Sequence, residues 1–172
     1  MSIMSGLTPV AEPRCRTVFG YVLGFDGAER RVIGFQRGGQ WFLPGGPVEA
    51  DDLPDTSGIS IPPDCCDPVR YAPLAWHVRE QTGLQIARLH GPFAINQHPA
   101  QGLHFDMSLY YLAVATGEQT GGTLLDANSL PHFSKFSPDC PAEPDFIRNF
   151  LANGNPLRKP PTFWERLTRC WR

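Results

Sequence analysis

The chain lacks any apolar run that approaches the length of a membrane span. It also lacks a basic N-terminal segment followed by a long apolar one, so no secretion signal is expected. Strong charge of either sign is missing: the net charge is -2, which gives no footing for nucleic acid of the kind a basic domain has. Neither a nucleic-acid partner nor a membrane is therefore expected. The five cysteines, Cys15, Cys65, Cys66, Cys140 and Cys170, are odd in number and irregular in spacing. Adjacent Cys65-Cys66 is not the Cys-x-x-Cys of a zinc ribbon or redox motif, so reduced thiols in a cytoplasmic protein are the expectation.

What is present points to one folded domain. A length of 172 residues with 41% hydrophobic and 11% aromatic residues is enough for a real core. Proline and glycine are both abundant, 18 and 17, so the loops must be long or numerous. Residues 1–16 show little periodicity and read as a loosely held arm. Thr17 to Phe25, Arg31 to Gln36 and Trp41 to Leu43 read as three strands of a meander, separated by turns at Asp26-Gly27 and Gly38-Gly39. His104 to Ala115 is the strongest strand, with Phe105, Met107, Leu109 and Tyr111 alternating with Asp106, Ser108 and Tyr110. Leu84 to Asn96 is strand material broken at Gly91-Pro92, followed by a loop holding His98. Thr116 to Gly122 is a turn containing Glu118, and a short strand is expected near Phe133 to Phe136. Glu143 to Asn153 reads as a helix ending at Gly154. Residues 156–172 form a tail; beyond Pro160-Pro161 it reads as a short helix, Thr162 to Arg172, with Phe163, Leu167 and Cys170 on an apolar face and Arg166, Arg169 and Arg172 on a basic one. Packing onto its own domain is the simpler reading of that tail, and docking a second subunit to make a homodimer is the alternative.

The stretch from Trp41 to Leu84 organises the rest. It opens with Trp41-Phe42-Leu43-Pro44-Gly45-Gly46, a short strand running into a Pro-Gly-Gly turn. It closes with Trp76-His77-Val78-Arg79-Glu80-Gln81-Thr82-Gly83-Leu84, a helix that begins near Pro73 and stops at a glycine. His77, Glu80 and Gln81 stand at i, i+3 and i+4 and share one face, beside an apolar stripe of Leu74, Ala75 and Val78. That is the layout of a helix-borne metal site, and equally of an ordinary surface helix.

The two ends of this stretch resemble the Nudix box, a loop-helix-loop that holds a divalent metal against a diphosphate. Its pattern is Gly, five residues, Glu, seven residues, then Arg-Glu-apolar-x-Glu-Glu-x-Gly-apolar. Matched back from Gly83-Leu84, the helix carboxylate positions hold His77, Glu80 and Gln81; the arginine position holds Trp76, and the first glutamate falls on Asp52. Between Asp52 and Trp76 lie 23 residues where the family has seven, an insertion spanning Ala50 to Tyr71 and rich in proline. Its place at the mouth of the expected site suits a lid or substrate loop, or else a tolerated surface insertion.

The resemblance covers roughly residues 17–155 and implies an α/β fold, a Nudix-type α/β/α sandwich with a mixed sheet. It implies Mg²⁺ or Mn²⁺ as cofactor and a nucleotide-like small molecule as ligand. Glu80 and His77 take the catalytic positions. The metal set is drawn from Glu80, His77, Gln81, Asp52 and Glu118, and the substrate side from Arg37, Trp41, Gly45 and Gly46. Trp41, Phe42 and Tyr110 are candidates to stack a base, with core packing as the alternative. Mg²⁺ wants hard oxygen ligands; His77 suits borderline metals, and Gln81 brings only a neutral carbonyl. Two expectations follow: a hydrolase (pyrophosphatase) of a nucleoside diphosphate linked to another moiety, with an atypical, weakened metal site, or a catalytically inactive module of the same fold that binds a nucleotide-like ligand or a protein partner.

Overall fold

The structure, a computed structural model, describes residues 12–27, 29–37, 40–125 and 144–154, with backbone only at 37, 40, 94, 96 and 144–148. The expected strand at 133–136 and the tail beyond 154 lie outside the described residues.

Among the described residues, seven strands and two helices follow in the order β1 (Arg14–Asp26), β2 (Val32–Arg37), β3 (Gln40–Phe42), β4 (Gly45–Glu49), α1 (Pro68–Thr82), β5 (Gln85–Pro99), β6 (His104–Thr116), β7 (Thr123–Leu125) and α2 (Pro144–Asn153). The main sheet has the order β4-β1-β6-β5. Strands β1 and β6 run parallel, whereas β1–β4 and β5–β6 are antiparallel. A smaller antiparallel sheet has the order β3-β2-β7.

Alternation along β6 explains the layering. Leu109, Tyr111 and Ala113 enter one hydrophobic cluster with Leu74 and Val78 of α1. Tyr110 and Leu112 enter a second with Val32, Leu125 and Phe150 of α2. A strand buried on both faces sits at the centre of a sandwich, with side chains of opposite parity facing opposite layers. Gly24 of β1 meets the Phe150 ring, which a methyl group there would overlap.

Several boundaries differ from the sequence reading. Strand β1 begins at Arg14, inside the stretch read as an arm, because Arg14 to Thr17 pair with His104 to Asp106 of β6. The Arg16 guanidinium bonds both carboxylate oxygens of Asp106, at 3.1 and 2.7 Å. The Pro-Gly-Gly segment is no turn: Gly45 and Gly46 open strand β4, paired with Tyr21 and Gly20. Helix α1 starts at Pro68, and Pro73 lies inside it. Pro73 leaves the Val69 carbonyl without its helical donor. Tertiary bonds offset that loss, since Tyr71 donates to the Ile86 carbonyl at 2.5 Å. Strand β5 continues through Gly91-Pro92 by a register shift between His90 and Ala94, so His98 lies in a strand rather than a loop. Its Nε2 is 3.1 Å from Ser108 Oγ.

Candidate functional site

Helix α1 packs beside β4, its buried stripe formed by Tyr71, Leu74, Ala75, Val78 and Thr82. Gly83 ends it in the left-handed conformation, φ 78°, with its N–H donating to the Arg79 carbonyl at 2.8 Å. This is the glycine stop that the Thr-Gly-Leu signal implies.

One flank of the stripe carries His77 and Gln81, one turn apart, and both reach β4. The Gln81 side-chain oxygen accepts the Gly45 N–H at 2.9 Å, and its side-chain nitrogen donates to the Gly45 carbonyl at 2.8 Å. His77 Nε2 lies 3.0 Å from the Pro47 carbonyl. A carbonyl only accepts, so Nε2 carries the proton. The imidazole rests on Gly46, where an added methyl would fall within 2.7 to 2.9 Å of three ring atoms. Trp76 stands edge-on to it, centroids 5.1 Å apart. Burial holds the His77 imidazole below its usual range, and the bond to Pro47 opposes that shift.

The remaining candidates are dispersed. Glu80 points outward, its side chain 55% exposed and 3.9 Å from Arg79. Asp52 is exposed in the insertion, and Glu118 is exposed in the loop after β6. That loop packs on the end of α1, where Thr120 N–H donates to the Thr82 carbonyl at 2.8 Å. Arg37 closes β2 opposite Gln40, and its side chain lies outside the described residues. Trp41 packs partly buried against the second cluster and over Gly34. Tyr110 is buried there and stacks on Tyr21, which makes it a core residue. Gly45, at φ 146°, is a glycine because a side chain would overlap the Gly20 carbonyl of β1.

The insertion, Ala50 to Tyr71, is irregular as far as Asp67, and its last residues, from Pro68, belong to α1. It does not stay on the His77 flank. Ile59 and Cys65 pack against the α1 cluster. Gly58 to Ser60 line a hollow of about 300 Å³ together with Tyr71, Ala75, Arg79 and Ile86. Ala75 and Arg79 lie on the other side of the buried stripe from His77 and Gln81, given about 100° per residue.

Sequence reasoning missed the root of the helix. Asp67 is 9% exposed by side chain. It accepts the Tyr111 hydroxyl at 2.6 Å and the Arg70 Nη1 donor at 3.1 Å. Arg70 Nη2 pairs with Glu49 at 2.6 Å, and Arg70 Nε is buried with no hydrogen-bond partner among the described residues. Burial, then the bond to Asp67, pushes the Tyr111 hydroxyl far above its usual range. Asp67 could have been noticed as the residue before a proline that can open a helix; its partner, 44 residues on, could not.

A divalent metal is what a Nudix-type fold implies, and the donors seen here do not fit one. Both polar atoms of Gln81 and the Nε2 of His77 are bonded to backbone, and Glu80 is the single carboxylate on that part of the helix. Among the described residues no three of His, Cys, Asp and Glu stand together as a metal set.

No protein-family model and no curated protein matches the chain. Among solved structures it is similar to the ORF135 protein of E. coli, at 13% identity over 86% of this chain and 96% of that one, TM-score 0.49. It is similar to a MutT protein from Methanosarcina mazei Go1, at 13% identity over 84% and 98%, TM-score 0.46. It is also similar to a MutT Nudix hydrolase from Burkholderia pseudomallei, at 17% identity over 72% and 98%, TM-score 0.42. The assignment rests on the molecule itself: the parallel β1–β6 pair, β4 and α1 at one edge, and α2 on the opposite layer. These features make the chain an α/β/α sandwich around a mixed sheet, the architecture that the resemblance over Trp41 to Leu84 implies.

Proposed function

We propose that this chain is a ligand-binding module of Nudix fold whose box helix does not carry metal-dependent diphosphate hydrolysis. One observation carries the reading: Gln81 is bonded at both ends of its amide to Gly45, with His77 beside it on Pro47. Held this way, the Gln81 amide and the His77 Nε2 are committed to backbone on the helix face where the resemblance places a metal. The ligand proposed is a nucleotide-like small molecule, and the hollow beside α1 is where it would sit. At about 300 Å³ the hollow reaches the lower end of small-molecule sites. Ile59, Ala75 and Ile86 supply apolar surface, and the Arg79 guanidinium supplies a phosphate contact.

The second reading is a diphosphate hydrolase with a rebuilt site around Glu80. The exposure of Glu80 favours it, because a carboxylate in water remains accessible to a metal.

The full chain should be titrated with ADP by calorimetry and assayed for hydrolysis of nucleoside diphosphates linked to a sugar or a second nucleoside, with Mg²⁺ or Mn²⁺ present. The expected outcome is saturable ADP binding, weakened several-fold by Arg79→Gln, and no turnover above metal-containing buffer. Turnover that disappears in Glu80→Gln would replace this reading with the hydrolase.

A further inference from the structure

We infer that His77 and Gln81 fasten α1 to the outer edge of β4 in the place where a bridging cation would otherwise join helix and strand. Among the described residues strand β4 is the last strand of its sheet, so one side of its backbone faces away from β1. Val22 N–H donates to the Pro44 carbonyl at 2.8 Å, and Gly46 stands opposite Gly20, which turns the intervening Gly45 outward. The outward polar groups over Gly45 to Pro47 are the Gly45 N–H, the Gly45 carbonyl and the Pro47 carbonyl; Pro47 has no N–H to place. All three have partners, and those partners are the two side chains from α1. Helix and strand are commensurate here. Four helical residues advance about 6 Å, and two strand residues advance about 6.7 Å. His77 and Gln81 therefore meet Pro47 and Gly45 in step, and Gly46 between them leaves room for the imidazole.

The chemistry of the partners decides what this joint can hold. Two of the three edge groups are carbonyls, and a carbonyl needs a donor. An amide and a protonated imidazole nitrogen supply donors, and the amide oxygen also accepts the Gly45 N–H. A carboxylate at position 81 could accept that N–H, but it would set negative oxygen against the Gly45 carbonyl. While the carboxylate stays ionised, a cation between them is what would reconcile two oxygens at that distance. The neutral side chains close the joint without one. The inference concerns how α1 is held, so it stands or falls separately from ADP binding and turnover.

The test is thermal melting of the full chain in EDTA and in millimolar MnCl₂. The wild type should shift by less than about 1 °C between the two, as expected when no ion binds the native state preferentially. The double variant His77→Glu with Gln81→Glu should melt roughly 5–10 °C lower in EDTA, and Mn²⁺ should recover at least half of that loss. A wild type that loses stability in EDTA would overturn the inference, as would a double variant equally stable without metal or one that Mn²⁺ fails to recover. If the double variant does not fold, amide exchange in the wild type decides. Gly45 N–H should exchange as slowly as paired amides of β1, and Gln81→Leu should release it. Fast exchange at Gly45 in the wild type would overturn the inference.

Discussion

At its N-terminal end α1 is rooted by charge: Asp67 beneath Arg70 and Tyr111, with Glu49 closing the other side of the guanidinium. Further along, the same helix is held to β4 by neutral groups, an amide and an imidazole on backbone carbonyls and one N–H. The two regions differ in what they tolerate. A buried ion pair that loses one partner leaves an uncompensated charge, whereas a neutral hydrogen bond that is lost leaves a polar group to be resolvated. The root should therefore be the less forgiving of the two, and the clamp the more adjustable. The buried carboxylate sits at the root, and the flank on which the resemblance places a metal is a neutral seam.

The comparison is most sharply broken at Asp67. Asp67→Ala removes the partner of Arg70 Nη1 and of the Tyr111 hydroxyl, in a place where Arg70 Nε has no hydrogen-bond partner among the described residues. Chemical denaturation should show a loss of about 2–4 kcal/mol, somewhat below a fully buried pair because Glu49 remains. A loss below that of His77→Gln or Gln81→Leu alone would reverse the ranking of the two ends. Tyr111→Phe removes one of those contacts and leaves the ion pair. It should cost about 1–2 kcal/mol in the same measurement.

The sequence made the helix legible more readily than its fastenings. Gly83 announced the end of α1, and the positions of His77, Glu80 and Gln81 on one side followed from helical spacing. The start was harder, because Pro73 and Pro68 each suit a first turn. What selects Pro68 is the anchoring of Asp67 and Tyr71 on Tyr111 and Ile86, contacts between distant parts of the chain. Gly45-Gly46 has turn composition, yet both glycines serve close approach, to the Gly20 carbonyl and to the His77 ring. The insertion's proline content identified a loop but not its course, which is set by Ile59 and Cys65 packing on the cluster beneath α1. The partners of Gln81 are backbone groups 36 residues away, and backbone leaves no side-chain signal to read.

A pH titration sharpens the contrast from the clamp side. Burial lowers the His77 pKa in the folded chain, so on acidification the unfolded chain takes up its proton first. The stability tied to neutral His77 is present in full above about pH 6.5, the ordinary histidine value, and is lost as pH falls through the folded-state pKa. His77→Gln should flatten the stability profile below about pH 6.5, while Tyr111→Phe should leave its slope there unchanged. An unaltered slope in His77→Gln would remove His77 from the account of acid sensitivity.

The smallest effects are expected at the exposed acids. Glu80→Ala and Glu118→Ala should each change stability by less than about 0.5 kcal/mol, since both side chains are exposed and the Arg79 contact of Glu80 is long. A larger loss at Glu80 would mean that this face of α1 is held by more than the neutral seam.

The central claim is that the Gln81 amide and the His77 Nε2 are occupied by β4 and that this flank of the helix does not form a metal site. Calorimetric titration of Mn²⁺ into the full chain at neutral pH tests it most directly. The account expects no saturable heat at millimolar Mn²⁺ in the wild type, and saturable binding only after His77→Glu and Gln81→Glu are introduced together. Stoichiometric micromolar binding by the wild type, lost in Gln81→Leu, would contradict it.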